Sequence, residues 1–262
     1  MLKKISLAVS LLLSFSLLST SAWADKLVLS PPQQAYLQQH PVISLCIDPN
    51  WLPYEKLTEQ GDYIGLVAQY ISLFESRLGI KMDVVKTDNW QQSQQLYQTG
   101  GCDLVSALNK TIDRSRYLNF TQAYIESPAV LVLNESNVSD EALVDLAGKS
   151  LAMVSGYVYE SRLQQQYPGI QVIPVTNMEE ALQKVATGEV DATIGPLFLS
   201  FTLTQELGLA NLKIVGNTEY RDAFRIGVQK DNPILLNIME QVVASLTAED
   251  HSQLRRDWAK QR

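Results

Sequence analysis

Short apolar runs alternate along most of this chain with stretches whose apolar positions recur every three to four residues. Val42 to Ile47 reads as a buried strand. Leu66, Val67, Tyr70, Ile71, Phe74 and Leu78 then fall at helical spacing, and Gly79 supplies the stop. Met82 to Val85 is a second strand. A helix capped by Asp88 or Asn89 runs to Gly100-Gly101, and Leu104 to Leu108 is a third strand. Strand and helix in strict alternation predict a parallel sheet with crossover helices.

The second half follows the same logic. Ser139 reads as the cap of a helix ending at Gly148, Ser150 to Val154 as a strand, and a helix begins near Tyr157. Gln171 to Val175 is the next strand. Asn177, with Glu180 three residues on, opens a helix in the manner of a capping box, and Gly188 closes it. Val190 to Ile194, Leu212 to Val215 and Phe224 to Val228 complete the strands. Ile234, Ile238, Val242 and Leu246 mark a helix from Pro233, and a last helix carries Leu254 and Trp258. Thr99-Gly100-Gly101-Cys102-Asp103 and Thr187-Gly188-Glu189-Val190-Asp191 both end a helix and open a strand. Their equivalent places predict two similar α/β lobes. Residues 25–40, with Pro31-Pro32-Gln33-Gln34, read as a loosely packed polar leader.

The N-terminus adds a compartment. Lys3 and Lys4 precede an apolar run from Ile5 to Leu18, and Ala22-Trp23-Ala24 gives the small-x-small pattern of a signal-peptidase site. The run is short for a bilayer span, and an uncleaved anchor is the alternative. Cleavage after Ala24 leaves 238 of the 262 residues, enough for one large domain or two small ones. A soluble periplasmic protein is expected. The 28 acidic against 21 basic side chains leave no positive footprint for phosphates, which argues against nucleic acid as a partner. Cys46 and Cys102 either pair in an oxidising compartment or remain small buried hydrophobes, and both readings stay open.

No catalytic constellation stands out. His40 and His251 lie near no nucleophile motif, and HExxH, CxxC, P-loop and GxGxxG patterns are missing. No metal site and no cofactor are expected. Binding signals are stronger. Asp48-Pro49-Asn50-Trp51-Leu52-Pro53-Tyr54-Glu55 follows the first strand, at the end where a parallel sheet collects ligands. Its prolines stiffen the loop and present Trp51, whose indole can stack on a ligand or attract a cation; filling a gap over the core is its alternative use. Thr111-Ile112-Asp113-Arg114 follows the third strand, and Arg114 offers a fork of donors that fits a carboxylate. Arg116 is the candidate for an ordinary exposed arginine. Ser155-Gly156-Tyr157-Val158 leads into a helix, so its amides can hold an anion from the opposite side.

Taken together, these segments resemble the family 3 bacterial extracellular solute-binding proteins. The resemblance rests on the Asp48–Glu55 loop, Gly61-Asp62-Tyr63-Ile64-Gly65, Cys102-Asp103-Leu104, and Thr111 with Arg114, Phe120, Thr121 and Tyr124. Leu146 with Gly148-Lys149, Gly188 with Asp191-Ala192, and Asp231 with Pro233 and Leu235 extend it from Pro41 to Trp258. It comes nearest to the Venus-flytrap modules of bacterial sensor kinases and diguanylate cyclases. It implies a type II periplasmic-binding-protein fold, two α/β lobes with two crossover segments. Lobe 1 would be residues 41–128 and 221–262, and lobe 2 residues 129–220, with hinges near Ser127–Val130 and Tyr220–Ala223. Ligand contacts are implied at Trp51, Ala107, Leu108, Asn109 and Arg114 from lobe 1, and at Tyr157 and Val158 from lobe 2. Two positions depart from the family. The aspartate that holds a ligand's α-ammonium in amino-acid binders falls five residues after Asp191, where this chain has Pro196. A hydroxyl common at the lobe 2 helix start is replaced by Val158. The implied ligand is a small polar carboxylate, with or without an amine, and Trp51 and Glu160 are the candidates to replace the lost anchor.

The function this implies is capture of a small carboxylate or amino-acid-like ligand by hinge closure, in a monomer that presents it to the permease of an ABC importer. A membrane signalling protein is the alternative partner. The terminal Lys260-Gln261-Arg262 follows no membrane helix or output domain in the sequence, so signalling is expected to need a separate protein. The rival from another class is a periplasmic dehydratase of cyclic carboxylic acids, with Glu160 and Lys110 as its candidate carboxylate and amine. The expectation is a binding protein and no enzyme.

Overall fold

The apolar runs become the inner strands of one continuous nine-stranded sheet shared by two lobes. The computed structural model describes residues 27–137 and 142–260; the export signal read in residues 1–24 and the cap read at Ser139 lie outside them. Helix α1 (Pro31–Gln39) precedes β1 (Val42–Cys46), and a small three-stranded sheet follows from β2 (Asn50–Trp51), β3 (Glu55–Leu57) and β4 (Tyr63–Ile64). Then come α2 (Leu66–Leu78), β5 (Lys81–Val84), α3 (Trp90–Gln98), β6 (Leu104–Leu108) and β7 (Leu118–Phe120). The long β8 (Ile125–Asn134) carries the chain into lobe 2. There β9 (Ser150–Val154), α4 (Tyr159–Gln166), β10 (Gln171–Val175), α5 (Met178–Thr187), β11 (Ala192–Pro196) and α6 (Leu197–Glu206) follow. β12 (Leu212–Gln229) returns to lobe 1, which α7 (Pro233–Ala244) and α8 (Ala248–Lys260) complete.

β1 lies parallel between β5 and β6, and β9 parallel between β10 and β11. Each lobe thus has the parallel core that its strand–helix alternation predicts. The two crossing strands, β8 and β12, pair antiparallel from Phe224 opposite Ile125 to Leu212 opposite Asn134. Their ladder shifts register between Val215 and Asn217 and again between Asn217 and Arg221. Such shifts bend and twist a strand locally, here where it crosses between the lobes.

Local chemistry explains most boundaries. α2 buries Leu66, Val67, Tyr70, Ile71 and Phe74 and ends where Gly79 takes the left-handed conformation at φ 68°. Asn89 caps α3 by accepting from the Gln92 amide at 3.0 Å, and Asn177 caps α5 by accepting from the Glu180 amide at 2.8 Å. The Glu180 carboxylate accepts from Thr176 instead of closing a full capping box. The internal echo of the sequence has a structural cause. Asp103 accepts from the amide and hydroxyl of Ser44 at 2.8 and 2.5 Å, and Asp191 accepts from those of Ser150, both at 2.8 Å. In each lobe the same clamp ties the central strand to its neighbour.

Several expectations change. The leader is not loose: residues 31–39 form α1, with Leu37 buried and the Tyr36 hydroxyl accepting from Asn232 at 2.7 Å. Residues 143–146 make a single 3-10 turn in place of the long helix expected before Gly148. The strands read at Leu212–Val215 and Phe224–Val228 are one strand, and β8 and α6 went unread. Cys46 and Cys102 form a disulfide with an S–S distance of 2.10 Å, which joins the end of β1 to the turn before β6. No helix among the described residues is long and apolar enough to cross a membrane.

Candidate functional site

The loop after β1 is fixed from below by one carboxyl group. Glu55 is buried; its Oε1 accepts from the Asp48 amide at 2.8 Å, and its Oε2 accepts from the hydroxyls of Ser106 and Tyr63 at 2.6 and 2.8 Å. Burial pushes the Glu55 pKa up to about 8, against the pull of those hydrogen bonds. Gly65 lets the loop lie close: at φ 118°, its added Cβ would stand 2.4 Å from the Tyr54 carbonyl oxygen. The loop so anchored holds the Trp51 ring 4.8 Å from that of Tyr54 and 4.9 Å from that of Phe224 on β12. Asp48, also buried, accepts from the Asn50 amide at 3.0 Å, and burial raises its pKa to about 6.

Past β6 the chain turns through Thr111, whose hydroxyl accepts from the Arg114 amide at 3.1 Å. The Arg114 guanidinium is buried, unlike Arg116, whose side chain is 75% exposed and pairs with Asp113 at 3.3 Å. Arg114 Nη1 donates to the Asn109 carbonyl at 2.8 Å, and Nη2 donates across the cleft to the Gly156 carbonyl of lobe 2 at 3.0 Å. Its guanidinium carbon lies 5.8 Å from the Trp90 ring centre. Asn109 Nδ2 donates to Asp222 on β12 at 2.7 Å, and its Oδ1 accepts from the Ala223 amide at 2.8 Å. The Tyr159 hydroxyl of lobe 2 donates to the other Asp222 oxygen. Asp222 is 2% exposed, and burial lifts its pKa to about 6 although Tyr159 and Asn109 bond to it.

Trp51, Ala107, Leu108, Asn109, Arg114, Tyr157, Val158 and Pro196 all line one cleft between the lobes. Asp48, Trp90, Tyr159, Asp222 and Phe224 complete its walls, and sequence reasoning did not single these out as contacts. The Trp51 and Tyr157 rings meet edge-on across the cleft at 6.3 Å. One expectation fails here. The Ser155, Gly156 and Tyr157 amides, read as an anion holder, are engaged by Val175 O, Glu160 Oε2 and Val154 O. What this turn offers the cleft is the Gly156 carbonyl. Glu160 lines an adjoining surface hollow that shares Arg114, Tyr157 and Val158 with the cleft, and Lys110 is exposed. No local sequence signal marks Asp222, which follows Glu219 and Arg221 in the mostly polar stretch that crosses between lobes.

The architecture and cleft have counterparts among known proteins. Residues 43–261 match the family model for bacterial extracellular solute-binding proteins, family 3. The virulence sensor protein BvgS of Bordetella bronchiseptica is 25% identical over 224 residues, which are 85% of this chain and 18% of that protein. The chain therefore spans less than a fifth of that sensor's length. The ABC transporter arginine-binding protein 1 of Escherichia coli is 24% identical over 149 residues, 56% of this chain and 60% of that one. The crystal structure of the periplasmic VFT2 domain of Bordetella pertussis BvgS shares the fold with a TM-score of 0.79 at 20% identity, over 88% of this chain and 99% of the domain. Because the family match runs through both lobes, both crossing strands and every residue that lines the cleft, the chain belongs to the family 3 bacterial extracellular solute-binding proteins.

Proposed function

We propose that this chain is a periplasmic binding module that captures a small carboxylate-bearing ligand between its lobes and presents the closed form to a membrane partner. The observation that carries the reading is Arg114, a buried guanidinium that forms no salt bridge with any described residue and faces the cleft. A buried charge ordinarily has a counter-ion, and the carboxylate of a ligand would serve as one. Two of its five N–H groups hold carbonyls, which orients the fork and leaves donors for a ligand.

Ligand would bind lobe 1 first, at Arg114 and under Trp51. Tyr157, Val158 and Pro196 of lobe 2 then close over it as the β8–β12 crossing bends. Only contacts made in the closed form alone shift the population toward closure, so the lobe 2 residues set the response. An ABC importer is the first candidate partner. A membrane signalling protein is the second reading, favoured by the BvgS match, which covers 85% of this chain against 56% for the arginine-binding protein.

A thermal-shift screen of the protein against amino acids, amines and carboxylates, repeated with Arg114→Ala, tests the ligand class. Saturating ligand at about a hundred times Kd adds about 2.7 kcal/mol to the folded state. A carboxylate whose shift disappears in Arg114→Ala supports the reading. A ligand whose shift survives that change removes Arg114 from the site.

A further inference from the structure

The cleft holds more negative charge than Arg114 offsets. Asp48 and Asp222 both line it, and both are buried. Asp222 is held by the Asn109 amide and the Tyr159 hydroxyl, and Asp48 by the Asn50 amide, all neutral donors. Neither forms a salt bridge with a described cation, and Arg114 turns two of its donors to the Asn109 and Gly156 carbonyls. The surrounding walls are aromatic: Trp51, Trp90, Tyr157, Tyr159 and Phe224. Electron-rich rings beside a buried carboxylate favour a cationic group. Pro196, buried in the lobe 2 wall, supplies neither charge nor donor.

We infer that Asp222 anchors a protonated amine or amidine on the ligand, from the crossing strand instead of from lobe 2. The ligand class is then a zwitterion, with its carboxylate on Arg114 and its cation on Asp222; this rests on the ligand reading proposed above. Asp222 is the better placed of the two aspartates because it takes hydrogen bonds from both lobes, Asn109 on one side and Tyr159 on the other. A cation there keeps Asp222 ionised and strengthens the Tyr159 bond that spans the cleft. Asp222 thereby sets specificity and couples it to closure. Asp48 adds to the negative potential without bridging the lobes.

Calorimetric titration with matched triads tests this. Each triad is an amino acid, the same molecule without its amine, and the same molecule without its carboxylate. L-phenylalanine, 3-phenylpropanoate and 2-phenylethylamine form one; L-leucine, 4-methylpentanoate and 3-methylbutylamine form another; 5-aminopentanoate, pentanoate and butylamine form a third. In a triad that binds, loss of the amine is expected to weaken binding about thirtyfold, the range of one charged hydrogen bond. Asp222→Asn should shrink that difference to about threefold or less while dependence on Arg114 stays. An amine-free acid that binds as tightly as its amino acid overturns the inference, as does an Asp222→Asn protein that keeps the full difference. So does loss of the difference in Asp48→Asn alone. Where Asp222→Asn does not fold, an amine-free acid that binds the wild-type protein as tightly as its amino acid still overturns the inference. Binding that depends on Arg114 but not on the amine defeats this inference and leaves the proposed function standing. No binding by any member defeats both.

Discussion

Acidification from about pH 8 to about pH 5 is expected to stabilise this protein, because burial raises the pKa of three of its carboxyl groups. Burial is the first cause of each shift, lifting Glu55 from 4.5 to about 8 and Asp48 and Asp222 from 3.8 to about 6. A group whose folded pKa lies above its unfolded value takes up its proton more readily in the folded state. Its stabilising contribution is complete below the unfolded pKa and is lost as pH rises through the folded one. The window therefore runs from about 4 to about 6 for the aspartates and on to about 8 for Glu55. One pKa unit corresponds to about 1.4 kcal/mol, so an aspartate displaced by roughly two units contributes about 3 kcal/mol across it.

His251 works against this trend, since burial depresses its pKa and its charging at low pH costs stability. Carboxylates held down by hydrogen bonds, such as Asp191 from Ser150 and Glu180 from Thr176, lose their contribution only below the window. Thermal melts at constant ionic strength should show a midpoint that rises by about 5 °C or more on going from pH 8 to pH 5. Asp222→Asn should raise the midpoint at the alkaline end and flatten the profile. A midpoint that stays level or falls over this range refutes the idea that these three groups are buried at electrostatic cost.

Three further outcomes follow from local geometry. Replacing Cys46 and Cys102 by alanine opens a loop with a sequence separation of 56 and should cost about 4 kcal/mol, read from urea unfolding. Gly65→Ala should destabilise by more than about 2 kcal/mol, since φ is 118° and the new Cβ meets the Tyr54 carbonyl at 2.4 Å. Gly61→Ala, with nothing within 4 Å of the added methyl, should cost less in the same assay. Tyr159→Phe removes a hydrogen bond that joins the lobes through Asp222 and should weaken ligand binding about tenfold by titration.

How far the fold was legible depended on whether a strand's apolar pattern runs unbroken within one lobe. β6, β9 and β10 were read to the residue because Leu104–Leu108, Ser150–Val154 and Gln171–Val175 sit inside a lobe and end at polar or glycine stops. β8 was not read, because Glu126, Ser127 and Pro128 interrupt its apolar pattern where it crosses between lobes. β12 was read as two strands for the same reason: residues 216–222 are mostly polar and continue the strand by pairing with β8. α6 escaped because its apolar residues form no single stripe, and Phe198 and Phe201 are exposed beside the buried Leu199. Periodicity reports burial, and a crossing segment is only partly buried.

The cleft divides along similar lines. Its loop and arginine follow directly after strands in the sequence, so a parallel sheet with ligands at its strand ends was enough to nominate Trp51 and Arg114. Asp222 lies 113 residues from Asn109 and 63 from Tyr159, the two side chains that hold it, and no local pattern signals such a meeting. The missing charge at Pro196 was visible, but not what stands in the cleft in its stead. Had Asp222 been buried for structure alone, Arg114 would be its natural counter-ion, since a buried ion pair costs less than two separate charges. Arg114 instead turns to the carbonyls of Asn109 and Gly156, while Asp222 is met by an amide and a hydroxyl. The two charges attract each other across the cleft without a direct hydrogen bond, so the fold returns only part of their desolvation cost. A ligand that presents both an anion and a cation would offset both at once.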